Sequence, residues 1–173
     1  MRIITNEGEE INSAEIGDNL KLQVDVEPAT IYGGFARSCI AKTMEDNVQN
    51  EYLVTDENGC ATDTSIFGNW EYNPDTNSLL ASFNAFKFPS SDNIRFQCNI
   101  RVCFGRCQPV NCGGYNAFGR RRRSIADNST DATAIATNSG VEGQLREEIT
   151  ISSNAILTFE KRSGQGLNDA NSK

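Results

Sequence analysis

Four consecutive arginines, Arg120, Arg121, Arg122 and Arg123, are followed by Ser124. Adjacent guanidinium groups repel, so this run is expected to stay extended and exposed. It satisfies the Arg-x-Lys/Arg-Arg pattern of a furin-like proprotein convertase, which would cut between Arg123 and Ser124. An acidic protease cleft would grip it through charge-assisted hydrogen bonds. Two other readings exist for such a run: a nuclear-localisation or nucleic-acid patch, and a plain solvated charge cluster. Asn128-Ser129-Thr130 is an N-glycosylation sequon just beyond the proposed cut, which makes Asn128 a candidate acceptor.

The chain has six cysteines and no histidine. An even cysteine count in a Gly/Asn/Ser-rich chain points to disulfides and an oxidising compartment, which disfavours the nuclear reading. Cys103, Cys107 and Cys112 are spaced loosely like a zinc set. Cys39 and Cys98, however, fall inside apolar strands, where two thiols could meet across sheets. A Cys39–Cys98 bridge is attractive, since it would close a loop worth about 4 kcal/mol in chain-entropy models. Spacing alone leaves the pairing open.

Without histidine the commonest general base and metal ligand are gone. Asp25, Glu27, Asp63 and Glu71 form no visible carboxylate pair for hydrolysis. Asp56-Glu57-Asn58-Gly59 lacks the distal glutamate of a calcium loop and reads as a turn. No catalytic residue, cofactor or metal is expected, and the chain reads as non-enzymatic. A net charge of -7 argues against general nucleic-acid binding.

The elements that must position these groups are strands. Leu20, Leu22, Val24 and Val26 alternate with polar residues. Gly33-Gly34 suggests a turn. Arg37 to Lys42 and Glu51 to Thr55 read as short strands. Ser78 to Phe88 reads as a strand with a bulge. The strictest alternation runs from Asn93 to Val102. Cys103 to Gly113 reads as a stapled loop, and residues 124–148 as a flexible linker. Ile149, Ile151, Leu157 and Phe159 then share one face of a final strand. About seven strands without an amphipathic helix indicate an all-β sandwich. Met1 to Glu10 carries no signal-peptide core, and no run is long enough to span a membrane. Secreted chemistry without those segments suggests a fragment of a longer chain.

The segments Tyr32 to Lys42, Tyr52 to Asp63 and Ser82 to Gly113, with the arginines behind them, resemble the ZP-C half of the zona pellucida (ZP) module. The likeness is greatest to arthropod cuticle and apical-matrix members. It implies an immunoglobulin-like β-sandwich stapled by Cys39–Cys98, Cys60–Cys112 and Cys103–Cys107. It divides the chain into a ZP-C unit at 1–119, a convertase site at 120–123, a linker at 124–148, a propeptide strand at 149–162 and a tail at 163–173. Two polymerisation-blocking patches are implied: an internal one at Leu20, Leu22, Val24 and Val26, and an external one at Ile149, Ile151, Leu157 and Phe159. The function implied is a structural extracellular-matrix subunit, held latent until convertase cleavage, with other ZP-module chains as partners. Its parent would be a single-pass membrane protein shed into an apical matrix. Lacking the ZP-N half, this chain alone is not expected to form filaments. The alternative is a monomeric receptor-type ZP ectodomain that binds a ligand.

Overall fold

A computed structural model describes residues 1–43, 50–113, 115–117 and 145–160. The described elements are all strands: β1 (Arg2–Ile4), β2 (Ser13–Glu15), β3 (Asn19–Asp25), β4 (Tyr32–Thr43), β5 (Glu51–Thr55), β6 (Glu71–Asn73), β7 (Ser78–Asn84), β8 (Asn93–Phe104), β9 (Val110–Cys112), β10 (Tyr115–Ala117), β11 (Leu145–Ser152) and β12 (Ile156–Phe159). One sheet has the order β1-β3-β7-β6. The other runs β2-β12-β8-β4-β5, with β11 also paired to β8, and β9 and β10 form a small hairpin. The period-2 patterns explain the layering. Leu20, Leu22 and Val24 from β3 meet Ile94, Phe96, Cys98 and Ile100 from β8 in one buried cluster. Phe67, Trp70, Phe83 and Phe96 fill its centre with tilted and edge-on ring contacts. Trp70 Nε1–H donates to Thr55 Oγ1 at 3.2 Å, so its polar end is satisfied. The result is the expected all-β, immunoglobulin-like sandwich.

Several local expectations need correction. Gly33 and Gly34 lie inside β4, not in a turn. A Cβ on Gly33 would sit 2.4 Å from the Gly105 carbonyl oxygen, so close packing of backbones rather than reversal demands glycine there. Met1 to Glu10, for which no strand was expected or excluded, contains β1, with Ile3 and Ile4 buried; three residues are too few for alternation to show. Nor is Cys103 to Gly113 wholly a loop, because β8 continues through Phe104 and β9 follows. The strands number twelve among the described residues instead of about seven, since five of them are only three residues long and carry no readable period.

Three disulfides staple the fold: Cys39–Cys98, Cys60–Cys112 and Cys103–Cys107. The first does not cross between sheets. It joins β4 to its neighbour β8 at a bulge, where the register moves from Arg37↔Asn99 to Ile40↔Gln97. Two β4 residues, Ser38 and Cys39, thus oppose the single Cys98. Ser38 adopts a φ of 46° and donates its N–H to the Asp56 carbonyl at 2.8 Å. The bulge turns Cys39 inward, and burial alternates from there to Thr43. Gly59, at φ 85°, completes the turn after β5, while Asp56 Oδ1 accepts from the N–H groups of Asn58 and Cys60.

The Cys39–Cys98 bridge closes a sequence separation of 59 residues. Replacing both cysteines by alanine is expected to lower unfolding free energy by about 4 kcal/mol. Denaturant unfolding of the double variant checks this; a loss under about 1 kcal/mol would contradict it.

Candidate functional site

The one long strand with an unusual neighbour is β8. On one edge it pairs with β4 along nearly its whole length. On the other edge it is covered by β11 and β12, which lie beyond the arginine run in sequence. Strand β11 begins at Leu145 rather than at Ile149, so ladder pairing starts within the stretch expected to be linker. The register runs from Glu147↔Val102 to Ser152↔Gln97. Strand β12 continues with Ile156↔Ile94 and then pairs in parallel with β2.

The expected single apolar stripe is wrong in its second half. From Ser152 to Ile156 the tail advances four residues, while β8 moves only three, from Gln97 to Ile94. One extra residue flips every later side chain to the other face. Ile156 and Thr158 are therefore buried, each 1% exposed, whereas Leu157 and Phe159 are each 45% exposed on the outside. Ile151 faces inward and packs against the core. Ile149 shares the face of Ile100 but stays 41% exposed, because β11 is outermost at that level of the sheet. Leu20, Leu22, Val24 and Val26 are buried in the opposite sheet and share the core with Ile156.

The extra residue is held by polar contacts that the alternation pattern did not reveal. Ser153 donates its N–H to the Phe96 carbonyl at 2.9 Å and accepts the Phe96 N–H on Oγ at 3.0 Å. Its hydroxyl thus replaces a ladder acceptor in the interior. Asn154 clamps the N-terminal segment: its Oδ1 accepts from Ile3 N–H at 3.3 Å, and its Nδ2 donates to the Ile11 carbonyl at 2.9 Å. Thr158 donates from both N–H and Oγ1 to the Asp92 carbonyl. The composition Ser152-Ser153-Asn154-Ala155 was the available signal for a phase break, with Ile156 the first buried apolar residue after it.

On the outer face, Arg37 grips the tail. Its Nε and Nη2 donate to the two carboxylate oxygens of Glu148 at 3.0 and 2.7 Å, reaching from β4 across β8 to β11. These hydrogen bonds, with the charges of Arg37 and Arg101, hold the Glu148 carboxyl below the ordinary glutamate range. Lys87 bonds Glu160 at 3.3 Å and Asp92 at 3.4 Å, and both raise its pKa. Arg120, Arg121, Arg122, Arg123, Ser124 and Asn128 lie outside the described residues. The arrangement is a backbone ladder with a hydroxyl pin, an amide clamp and an ion pair.

Ser153→Ala leaves the buried Phe96 N–H without its acceptor and is expected to cost about 1–3 kcal/mol, while Phe159→Ser, on the exposed face, costs under about 0.5 kcal/mol. Equilibrium unfolding measures both. The Glu148 contact, with its lowered folded pKa, stabilises the chain above the ordinary value of 4.5 and is lost as pH falls through the lower folded value. Glu148→Gln is expected to flatten that acidic limb in thermal midpoint against pH, and an unchanged limb would contradict the assignment.

The ZP-C domain model of the zona pellucida family matches residues 4–113. Similar proteins include two from Caenorhabditis elegans. Cuticlin-3 is 26% identical over 168 residues, covering 83% of this chain and 42% of that protein. Cuticlin-1 is 27% identical over 143 residues, covering 78% and 32%. The chain thus spans less than half the length of either relative. With the match taking in well over half of its 173 residues, on a two-sheet disulfide-stapled sandwich, this chain belongs to the zona pellucida family.

Proposed function

We propose that the chain is a structural subunit of an extracellular, cuticle-type matrix, kept latent by its own C-terminal strands. The observation that carries this reading is the edge of β8. Among the described residues, that edge is covered by β11 and β12, and β12 is also the sole strand partner of β2. Arg120–Arg123 lie between β10 and β11 in sequence. A furin-like cut before Ser124 would leave the tail held by noncovalent contacts alone.

Departure of the tail would then expose unpaired N–H and C=O groups along β8 and would strand β2. A bare edge of that length recruits another extended chain. Other ZP-module chains are the partners this reading supplies. The latch is Ser153, Asn154, Ile156, Thr158 and the Arg37–Glu148 pair, in place of a continuous stripe from Ile149 to Phe159. Because Ile156 and Thr158 are deeply buried, cutting alone does not remove the hold, and release is a separate step. The parent is taken to be an anchored, secreted protein, with Asn128 glycosylated on the released portion.

Intact-mass and terminus analysis of the secreted full-length parent tests the cut, which should leave a mature C-terminus at Arg123. Electron microscopy of the same material tests assembly, which should appear only once the tail has left. Parent that is cut, sheds the tail and remains monomeric would favour a receptor-type ectodomain instead.

A further inference from the structure

The tail can face its side chains in two ways, and docking uses only one of them. Docked, the tail advances four residues from Ser152 to Ile156 while β8 advances three, from Gln97 to Ile94. That extra residue turns Ile156 and Thr158 inward and leaves Leu157 and Phe159 in solvent. The facing is therefore imposed by the register of β8. A strand free of β8 has no reason to keep the extra residue, and it then alternates without interruption. Ile149, Ile151, Ser153, Ala155, Leu157 and Phe159 would share one face, with Thr150, Ser152, Asn154, Ile156 and Thr158 on the other. The tail thus encodes a continuous, largely apolar stripe that the docked conformation does not present.

The composition of the run suits pairing with its own kind. Residues 149–159 hold no charge, proline or glycine, and six of the eleven are β-branched or aromatic. Only residues 76–86 match that length free of all three. They contain β7, a strand paired on both edges by β3 and β6. The tail run is less well covered. Among the described residues β11 has no strand partner on its far edge, and Ile149, Leu157 and Phe159 are exposed although the latch does not use them. Glu148 and Glu160 bound the run, which fixes the length of the uncharged strand.

We propose that the detached tail straightens and pairs through residues 149–159 with the same segment of other detached tails, burying the Ile149–Phe159 stripe between stacked sheets. The inference rests on the cleavage-release reading above and gives the released tail a destination. Cutting alone leaves the dock intact, so a tail that merely dissociates can return to β8. A tail taken up by other tails is withdrawn from that equilibrium, which makes release one-way.

The tail as cleaved, residues 124–173, is isolated from chain cut after Arg123 and, independently, made by synthesis. Sedimentation velocity at about 100 μM reads its association, and fibre diffraction should show a reflection at about 4.7 Å. Two variants separate the two facings. Leu157→Lys with Phe159→Lys places charge on the stripe but on the solvent side of the docked strand. It should weaken self-association at least about tenfold, while amide exchange at Cys98 in the uncut chain stays as slow as in the wild type. Ile156→Ser does the reverse: it speeds that exchange in the uncut chain and leaves tail association close to wild type. A wild-type tail that stays monomeric, a lysine pair that associates like the wild type, or an Ile156→Ser tail weakened as much as the lysine pair overturns the proposal. The synthetic tail keeps the two readings apart. A parent never cut at Arg123 sinks the cleavage reading, whereas a monomeric synthetic tail sinks this one.

Discussion

Backbone groups along Asn93–Phe104 must be hydrogen-bonded on both edges, because that strand runs through the middle of the larger sheet. One edge is satisfied by β4. The other is satisfied by a segment that follows a run of four arginines in sequence. The integrity of the larger sheet depends on that arrangement. It turns an ordinary sandwich strand into one whose pairing depends on a piece of chain that a single proteolytic event would make a separate molecule.

The tail is not held uniformly. Along β11 the contacts are ladder bonds, the Arg37–Glu148 pair, and a Thr150 hydroxyl donating to Asn99 Oδ1 at 2.9 Å, all near solvent. From Ser153 onward, the side chains that matter are interior, and the hydrogen bonds reach β8, the Asp92 carbonyl and the N-terminal segment together. Solvent-exposed ladders open at low free-energy cost, whereas buried ones open near the global cost. The half of the tail nearest the arginine run is therefore the half that yields first.

Much of this was legible in the residues. The β8 strand, with its five alternating apolar positions, was clear, as was the β3 strand. Glu51–Thr55 matched β5 at both ends. Two of the failures share one cause: a single inserted residue. The bulge at Ser38 and Cys39 changed a supposed inter-sheet bridge into a bridge between neighbours. The extra residue among 153–155 exchanged Leu157 and Phe159 for Ile156 and Thr158 on the buried face. Alternation predicts facing only while pairing advances one residue for one residue, and nothing within a strand announces the register of its partner. Three-residue strands such as β1 and β2 are set by their neighbours in space, so their own sequence carries too short a pattern to read. The Arg37–Glu148 pair, 111 residues apart, was invisible for the same reason.

The dependence of β8 on the tail is most directly tested by amide hydrogen exchange. The N–H of Phe96 points toward the tail, and alternation directs those of Cys98 and Ile100 the same way. Exchange at Cys98 and Ile100 should be slow in the intact chain and in the chain cut after Arg123 with the tail still bound. Once the tail has dissociated, it should rise by orders of magnitude, while the N–H groups facing β4 stay protected. Equal protection at Cys98 and Ile100 with and without the tail would contradict the account.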